Sequence, residues 1–198
     1  MPRTRPIATE ILRAYATSAE FCKVFTENMD SMYLLSFLLT VDLSKAEECF
    51  VSGLEDCVAG SGVFREWAQS WARRTIIQNA VRLLAPRKNH SAVAEVRSNA
   101  VSCSFGLPPP AGYAIASILG LEDFERFVFV MTILEKYADH DCAVILGCSR
   151  QDIAEARMRA LLHVAESGGR SPLIRATFES KEDEETGTRE IRMQPGVQ

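Results

Sequence analysis

Apolar residues recur every three or four positions along most of this 198-residue chain, which is the periodicity of amphipathic α-helices. The segment MYLLSFLLTV, residues 32–41, is apolar almost all round and predicts a central buried helix. Strictly alternating positions are rare and runs of β-branched residues are short, so the signals for strands are weak. The pattern therefore predicts an all-α protein.

The next helix is predicted from a capping signal. Ser44 and Glu47 have the spacing of a capping box, in which each side chain satisfies a backbone N–H at the start of a helix. We therefore expect a helix to begin at Lys45. The glycines at positions 60 and 62 should end it, because glycine readily leaves helical geometry.

A longer helix is predicted over residues 63–84, ending before Pro86. Trp67 and Trp71 lie at helical spacing in it, and we expect them in the core, with stacking on nucleic-acid bases as the alternative. Four polar side chains should form a ridge along the same helix, three spaced by four residues and one beside them: Arg74, Gln78, Arg82 and Arg73.

Stretches rich in proline, glycine and charge divide the chain into two small helical domains. Residues 1–84 should form the first domain and residues 113–166 the second. Residues 85–112 are predicted to be a linker, since they contain APRKNHS and GLPPPAG. Residues 167–198 carry many charges and few apolar groups, so we expect them to form a disordered tail.

The second domain should open with a helix over residues 122–137. Its apolar face is predicted to contain Phe124, Phe127, Val128, Met131 and Leu134. A helix-turn-helix should follow, because Ala143, Gly147 and Ile153 have the required spacing of a small residue, a turn residue and a branched apolar residue. Ser149 is suited to cap the second helix. The small core should contain Cys142, Leu146, Ile153 and Ala156, packed under Phe127 and Met131. A plain helical hairpin closed by glycine is the structural alternative.

In order and spacing, these segments resemble the ECF-type RNA polymerase sigma factors, a group within the sigma-70 family. YLLSFLLTVDLSKAEECFV, residues 33–51, resembles the core-binding helices of that family. FREWAQSWARRTIIQNAVRLL, residues 64–84, resembles the long helix that melts and reads the downstream promoter element. Residues 125–164, which include the stretch ILGCSRQDIAEARMRAL, resemble the helix-turn-helix domain that reads the upstream element.

The resemblance implies a transcription initiation protein that binds RNA polymerase core and promoter DNA. The resemblance is also compatible with an anti-sigma protein or another regulatory protein as a partner. Glu47 and Glu48 would contact polymerase. Nine residues of the long helix and of the helix-turn-helix would contact DNA: Arg73, Arg74, Gln78, Arg82, Ser149, Arg150, Gln151, Arg157 and Arg159. Among these, Arg150 and Gln151 can form paired hydrogen bonds with base edges, Arg with guanine and Gln with adenine.

The predicted DNA-reading domain is the most acidic part of the chain. The whole chain has a net charge of −4, and residues 121–166 carry 5 basic and 9 acidic side chains. The family usually has Lys or Arg early in the exposed face of the recognition helix, where this chain has Ala154 and Ala156 with Asp152 and Glu155 close by. Acidic side chains that face the phosphates of DNA weaken its binding, because like charges repel. The alternative function is therefore a degenerate sigma-like protein-interaction module that no longer reads DNA.

Other function classes find little support in the sequence. It contains no phosphate-binding glycine loop, no H-E-x-x-H motif and no serine-centred elbow, so we predict neither enzyme activity nor a cofactor. The six cysteines form no C-x-x-C pair, and no metal site is predicted. The start of the chain lacks the apolar core of a signal peptide, and no apolar run is long enough to span a bilayer. We therefore expect a cytoplasmic protein with no membrane insertion.

Overall fold

The structure is a computed structural model, and it describes residues 14–60, 62–87 and 109–169. Those ranges contain α-helices, one 3₁₀ turn and one π-helical turn, and no β-pairing beyond a single bridge between Tyr15 and Phe64. The prediction of an all-α protein is confirmed. No helix within the same ranges has both the length and the apolar character needed to cross a membrane.

Residues 14–87, termed the N-terminal segment, contain four α-helices. They are α1 (Ser18–Glu27), α2 (Met29–Thr40), α3 (Leu43–Ala59) and α4 (Ala68–Leu84), and a 3₁₀ turn, Arg65–Trp67, leads into α4. Helix α2 is the central one, because Met32 and all six residues 35–40 are buried. A helix covered on nearly every side must be apolar nearly all round, so the predicted central helix is confirmed.

Helix α3 begins two residues earlier than the capping signal indicated. Asp42 is the N-cap, and its side chain accepts a hydrogen bond from the backbone N–H of Lys45 at 3.0 Å. The prediction that Ser44 caps a helix beginning at Lys45 is wrong. An aspartate serves better in this place, because its carboxylate both caps the free N–H groups and interacts favourably with the positive end of the helix dipole.

Helices α3 and α4 approach each other closely through a face of small residues on α3. This face consists of Ala46, Cys49, Gly53 and Cys57, all buried. A Cβ atom added at Gly53 would lie 2.9 Å from Cγ1 of Ile76 on α4 and 3.5 Å from its Cα. The thiol of Cys49 donates a hydrogen bond to the carbonyl of Ile76 at 3.2 Å. Glycine is therefore required at position 53 by packing.

Residues 109–169, termed the C-terminal segment, contain the other four α-helices. They are α5 (Pro109–Leu119), α6 (Asp123–Phe129), α7 (Asp139–Leu146) and α8 (Arg150–Gly169), and a π-helical turn, Val130–Leu134, continues α6. Residues 109–112 were predicted to belong to an irregular linker, but they are helical. Residues 167–169 were predicted to belong to the disordered tail, but they extend α8. The rest of the predicted linker, from residue 88, and of the predicted tail, from residue 170, lies outside the described residues.

The π-helical turn changes which residues face the core. The backbone N–H of Glu135 donates to the carbonyl of Val130 at 2.9 Å, a span of five residues, and the Thr132 hydroxyl donates to the carbonyl of Val128 at 2.7 Å. A backbone bond that spans five residues widens the helix at this point. Leu134 is consequently 43% exposed, so its predicted place on the apolar face is wrong.

The two segments share one hydrophobic core. The buried apolar side chains of both form a single cluster, with α2 packed against α5 and α6, and α4 packed against α7. Packing across this junction is much less extensive than packing between helices of the same segment. The division of the chain into two domains stays a prediction.

Helices α7 and α8 pack against each other on either side of a turn at Gly147, and their assignment as a helix-turn-helix stays a prediction. Gly147, which ends α7, has a left-handed backbone with φ 66°, a conformation that glycine adopts without strain. The predicted core residues are fully buried, except that Leu146 is only half-buried: Cys142, Ile153, Ala156, Phe127 and Met131. Whether this pair of helices reads DNA stays a prediction.

The close approach of α3 and α4 yields a test of the fold. Gly53→Val should destabilise the protein by about 2 kcal/mol, because the added atoms overlap buried Ile76. Glu55→Val is the matched control, since it places the same β-branched residue at an exposed position of the same helix. The free energy of unfolding from urea titration measures both, and an equal loss for the two variants would contradict the close packing of α3 on α4.

Candidate nucleic-acid interface

Two tryptophans and three polar side chains share one face of α4 and of the turn that leads into it. This α4 stripe consists of Trp67, Trp71, Arg74, Gln78 and Arg82, spaced by three or four residues. Side chains at this spacing share one side of a helix, and the buried residues of α4 lie on the other side. Trp67 is 56% exposed and Trp71 is 41% exposed, so the expectation that both tryptophans lie in the core is wrong.

An aromatic chain holds Trp67 in place. The ring of Phe64 meets the Trp67 ring edge-on with centroids 5.2 Å apart, and it stacks on the Tyr15 ring at 4.9 Å. The backbone N–H of Ala16 donates to the carbonyl of Val63 at 2.7 Å, which fixes the two stretches of chain that carry these rings. The indole is therefore oriented before any ligand arrives. Local sequence patterns could not reveal this contact, because its partners lie about fifty residues apart.

Arg82 is steered by an acid on the neighbouring helix. Its Nη2 lies 2.5 Å from Oδ2 of Asp56, which also accepts a hydrogen bond from the Asn79 amide at 3.0 Å. These bonds, Asn79 first and Arg82 second, lower the pKa of the Asp56 carboxyl. Arg82 is nonetheless well exposed, so its guanidinium remains accessible while it is oriented.

Arg73 lies apart from the α4 stripe. Its Nε and Nη2 donate to the two carboxylate oxygens of Glu135 at 2.6 and 2.5 Å, across the junction between the segments. This carboxylate raises the pKa of the Arg73 guanidinium. The Glu135 side chain is only 10% exposed, so the pair is largely shielded from water. Arg73 was predicted to contact DNA, and in this arrangement its donors are directed to a protein acid instead.

The predicted recognition helix α8 begins with a complete cap. The backbone N–H of Asp152 donates to the Ser149 hydroxyl at 3.1 Å, and the Asp152 carboxylate accepts from the backbone N–H and the hydroxyl of Ser149. Ser149 is thus engaged in capping, as predicted. Arg150 and Gln151 follow and are exposed, and the Gln151 amide donates to the Glu155 carboxylate at 3.0 Å.

The two other arginines predicted to contact DNA from α8 form ion pairs with acids of neighbouring helices. Arg157 pairs with Asp139 at the start of α7, and Nε of Arg159 lies 2.5 Å from Oε1 of Glu125 on α6. Neither acid could be identified as a partner from the sequence, since both are distant in the chain. These pairs neutralise much of the positive charge that α8 would offer to phosphate.

Apolar side chains occupy the open face of α8. Met158 is 60% exposed, Leu161 41% and Leu162 55%, and Ala154 is exposed on the same side. Ala156 is fully buried, as its predicted place in the core requires, and it does not belong to this face. Exposed apolar residues clustered on one helix face favour contact with another protein over contact with phosphate.

Glu47 and Glu48, the predicted polymerase contacts, are both exposed on α3. Leu43 and Val51 lie four residues to either side of Glu47 and are 50% and 44% exposed. An acidic side chain between exposed apolar side chains is suited to bind a partner protein whose surface presents apolar groups around a cation. Leu43 and Val51 were not among the predicted contacts, although their spacing from Glu47 is visible in the sequence.

Two buried thiols lack the character of nucleophiles. Burial raises the pKa of Cys49 to about 11 and that of Cys142 to about 11, so both stay protonated near neutral pH. In the described ranges, no three side chains of His, Cys, Asp or Glu are grouped to hold a metal ion.

A scan against protein-family models found no match for this chain. Searches of curated proteins and of solved structures found none either. The resemblance to sigma factors therefore rests on the residues and their order along the chain.

The cap of α8 yields a second test. Ser149→Ala should destabilise the protein by about 1 kcal/mol, because the backbone N–H of Asp152 loses its acceptor. Ser44→Ala is the matched control: it removes the same hydroxyl near the start of α3, where Asp42 is the actual cap. Urea titration measures both changes. A larger loss for Ser44→Ala would show that the caps are misassigned.

Proposed function

We propose that this protein is a sigma-factor-like transcription initiation protein that binds RNA polymerase core and promoter DNA. The α4 stripe is the observation that carries the proposal. It combines two exposed indoles with two guanidinium groups and an amide on one helix face. Aromatic platforms beside cations are the means by which proteins bind single-stranded nucleic acid. The stripe lies on the helix that resembles the promoter-melting helix of the family.

The polar end of the stripe supports a role in binding the backbone. Arg74 and Arg82 lie two turns apart and can each neutralise a phosphate while bases stack on Trp67 and Trp71. On α8, Arg150 and Gln151 are exposed at the helix N-terminus, where base-reading residues of a helix-turn-helix lie. Polymerase would meet the exposed face of α3 around Glu47 and Glu48.

Substitutions in the stripe test this proposal. Trp71→Ala should weaken binding to a duplex with a single-stranded bubble by about 1–3 kcal/mol, because one stacking platform is removed. Arg74→Ala and Arg82→Ala together should lower the slope of log affinity against log salt by about one for each phosphate that is no longer neutralised. Lys23→Ala is the control, since it removes an exposed cation on α1 outside the stripe. Fluorescence anisotropy at several salt concentrations measures all of these, and slopes equal to the control's would refute contact with phosphate.

The second candidate function is a sigma-like protein-interaction module that no longer reads DNA. Two observations favour it: the apolar face of α8, and the acids that engage Arg157 and Arg159. A helix with an apolar solvent face and neutralised cations is better suited to a protein groove than to the major groove of DNA. In this case, the C-terminal segment would contact polymerase or a regulatory protein.

Two double variants of α8 separate the candidates. Asp152→Asn with Glu155→Gln should raise the affinity for duplex DNA, most at low salt, because the Debye length is about 30 Å at 0.01 M. Leu161→Ser with Leu162→Ser should leave DNA binding unchanged and weaken capture of polymerase, since both leucines are exposed and apolar. Titrations with polymerase present and absent measure both. If the amide variant shows no sequence-selective DNA binding even with polymerase, the interaction module replaces the initiator.

A further inference from the structure

The junction between the N-terminal and C-terminal segments is limited in extent, and among the described residues two arginines cross it. Helices within each segment pack over much longer stretches than α2 does against α5 and α6, or α4 against α7. Arg73 crosses the junction from α4 to reach Glu135, and Arg126 crosses it from α6 to reach the carbonyl of Leu39 on α2. An interface of limited extent between parts of one chain is one at which relative motion is expected.

Arg126 holds the junction only weakly. It is 3% exposed, and its Nη2 donates to the Leu39 carbonyl at a long 3.3 Å. Better bonds run within its own segment, to the Leu121 carbonyl at 2.8 Å and to the Asp123 carboxylate at 2.6 Å. Its buried Nε has no hydrogen-bond partner among the described residues. A buried cation with an unsatisfied donor stabilises the closed junction poorly.

Glu135 reaches Arg73 from a strained piece of backbone. It follows the π-helical turn Val130–Leu134 directly, and it precedes Lys136, which has a left-handed backbone with φ 59°. A residue with a side chain rarely adopts this conformation, so it is maintained only while its surroundings hold it. Backbone bonds from Glu135 to Val130 and from Tyr137 to Met131 close this turn, and the bidentate contact with Arg73 is the shortest polar contact across the junction among the described residues.

We propose that the Arg73–Glu135 pair is a latch that closes the C-terminal segment onto α4 and withholds Arg73 from nucleic acid. In the open form, a phosphate of the DNA strand replaces the Glu135 carboxylate. The guanidinium fork suits this exchange, because it matches carboxylate and phosphate in the same bidentate geometry. Arg73 lies about 100° from Arg74 around the axis of α4, on the side that faces Glu135, so opening the junction exposes it next to the α4 stripe. This regulation rests on the proposed function of the stripe.

The closure itself is tested without DNA. Glu135→Gln should expand the protein in small-angle X-ray scattering, because the amide lacks the charge that holds Arg73. Glu125→Gln is the matched control, since it breaks a comparable ion pair with Arg159 that lies within the C-terminal segment. The exchange of Arg73→Glu with Glu135→Arg should restore the compact form, and circular dichroism should show equal helix content in all variants. A radius of gyration for Glu135→Gln equal to that of wild type would overturn the latch.

The effect on binding is tested with the same bubble duplex. Glu135→Gln should bind it about tenfold more tightly than wild type, the gain expected if the open form rises from roughly a tenth of the population to most of it. Glu27→Gln removes the same charge from an exposed pair within α1 and should change little. Expansion of Glu135→Gln with unchanged affinity would overturn the proposed regulation. If Glu135→Gln expands but no variant binds the duplex, wild type included, the DNA-binding function would be refuted. The Arg73–Glu135 pair would then still close the junction, but it would not regulate DNA binding.

Discussion

The requirement to cover α2 on nearly every side organises this protein. A helix with buried residues around most of its circumference cannot lie at a surface, because the exposed apolar area would be too costly. Helices α3 and α4 of the N-terminal segment cover most of it, and α5 and α6 of the C-terminal segment pack against what remains. The same burial therefore also draws the second segment onto the first, but through a contact much smaller than those within the first segment. It also brings Glu135 within reach of Arg73.

Ion pairs then decide which cations are available to a ligand. Arg73, Arg82, Arg157 and Arg159 each meet an acid from another element. Exposed pairs of this kind contribute little stability, usually about 1 kcal/mol or less, so they orient a side chain without locking it. The largely shielded Arg73–Glu135 pair differs, since breaking it on one side leaves a charge in a poorly solvated place. Arg82 of the α4 stripe is therefore well exposed although it is paired, Arg74 is half-buried, and Arg73 is held by a carboxylate that is largely shielded from water.

Much of the fold could be predicted from the sequence, and the reason is physical. Helical periodicity depends on local pattern, so the central helix, the long helix and the spacing around Gly147 were all visible. The π-helical turn was not, because one backbone bond that spans five residues shifts the residues after it around the helix, and periodicity does not encode such a shift. The acids that pair with arginine come from distant parts of the chain. The exposure of both tryptophans was missed because spacing places residues on one face without indicating which side of the helix is covered.

The observations that favour the two candidate functions come mainly from different surfaces. Two exposed indoles lie beside Arg74 and the exposed Arg82 along α4 and the turn before it, whereas α8 offers an apolar face whose neighbouring Arg157 and Arg159 are paired with acids. Nucleic acid requires the first combination and a protein groove favours the second. A protein could read DNA chiefly through its N-terminal segment while its C-terminal segment contacts another protein. This division of roles is consistent with the charge distribution of both segments. It also accounts for the acidity of residues 121–166, since a segment that does not face phosphate has no need of a basic surface.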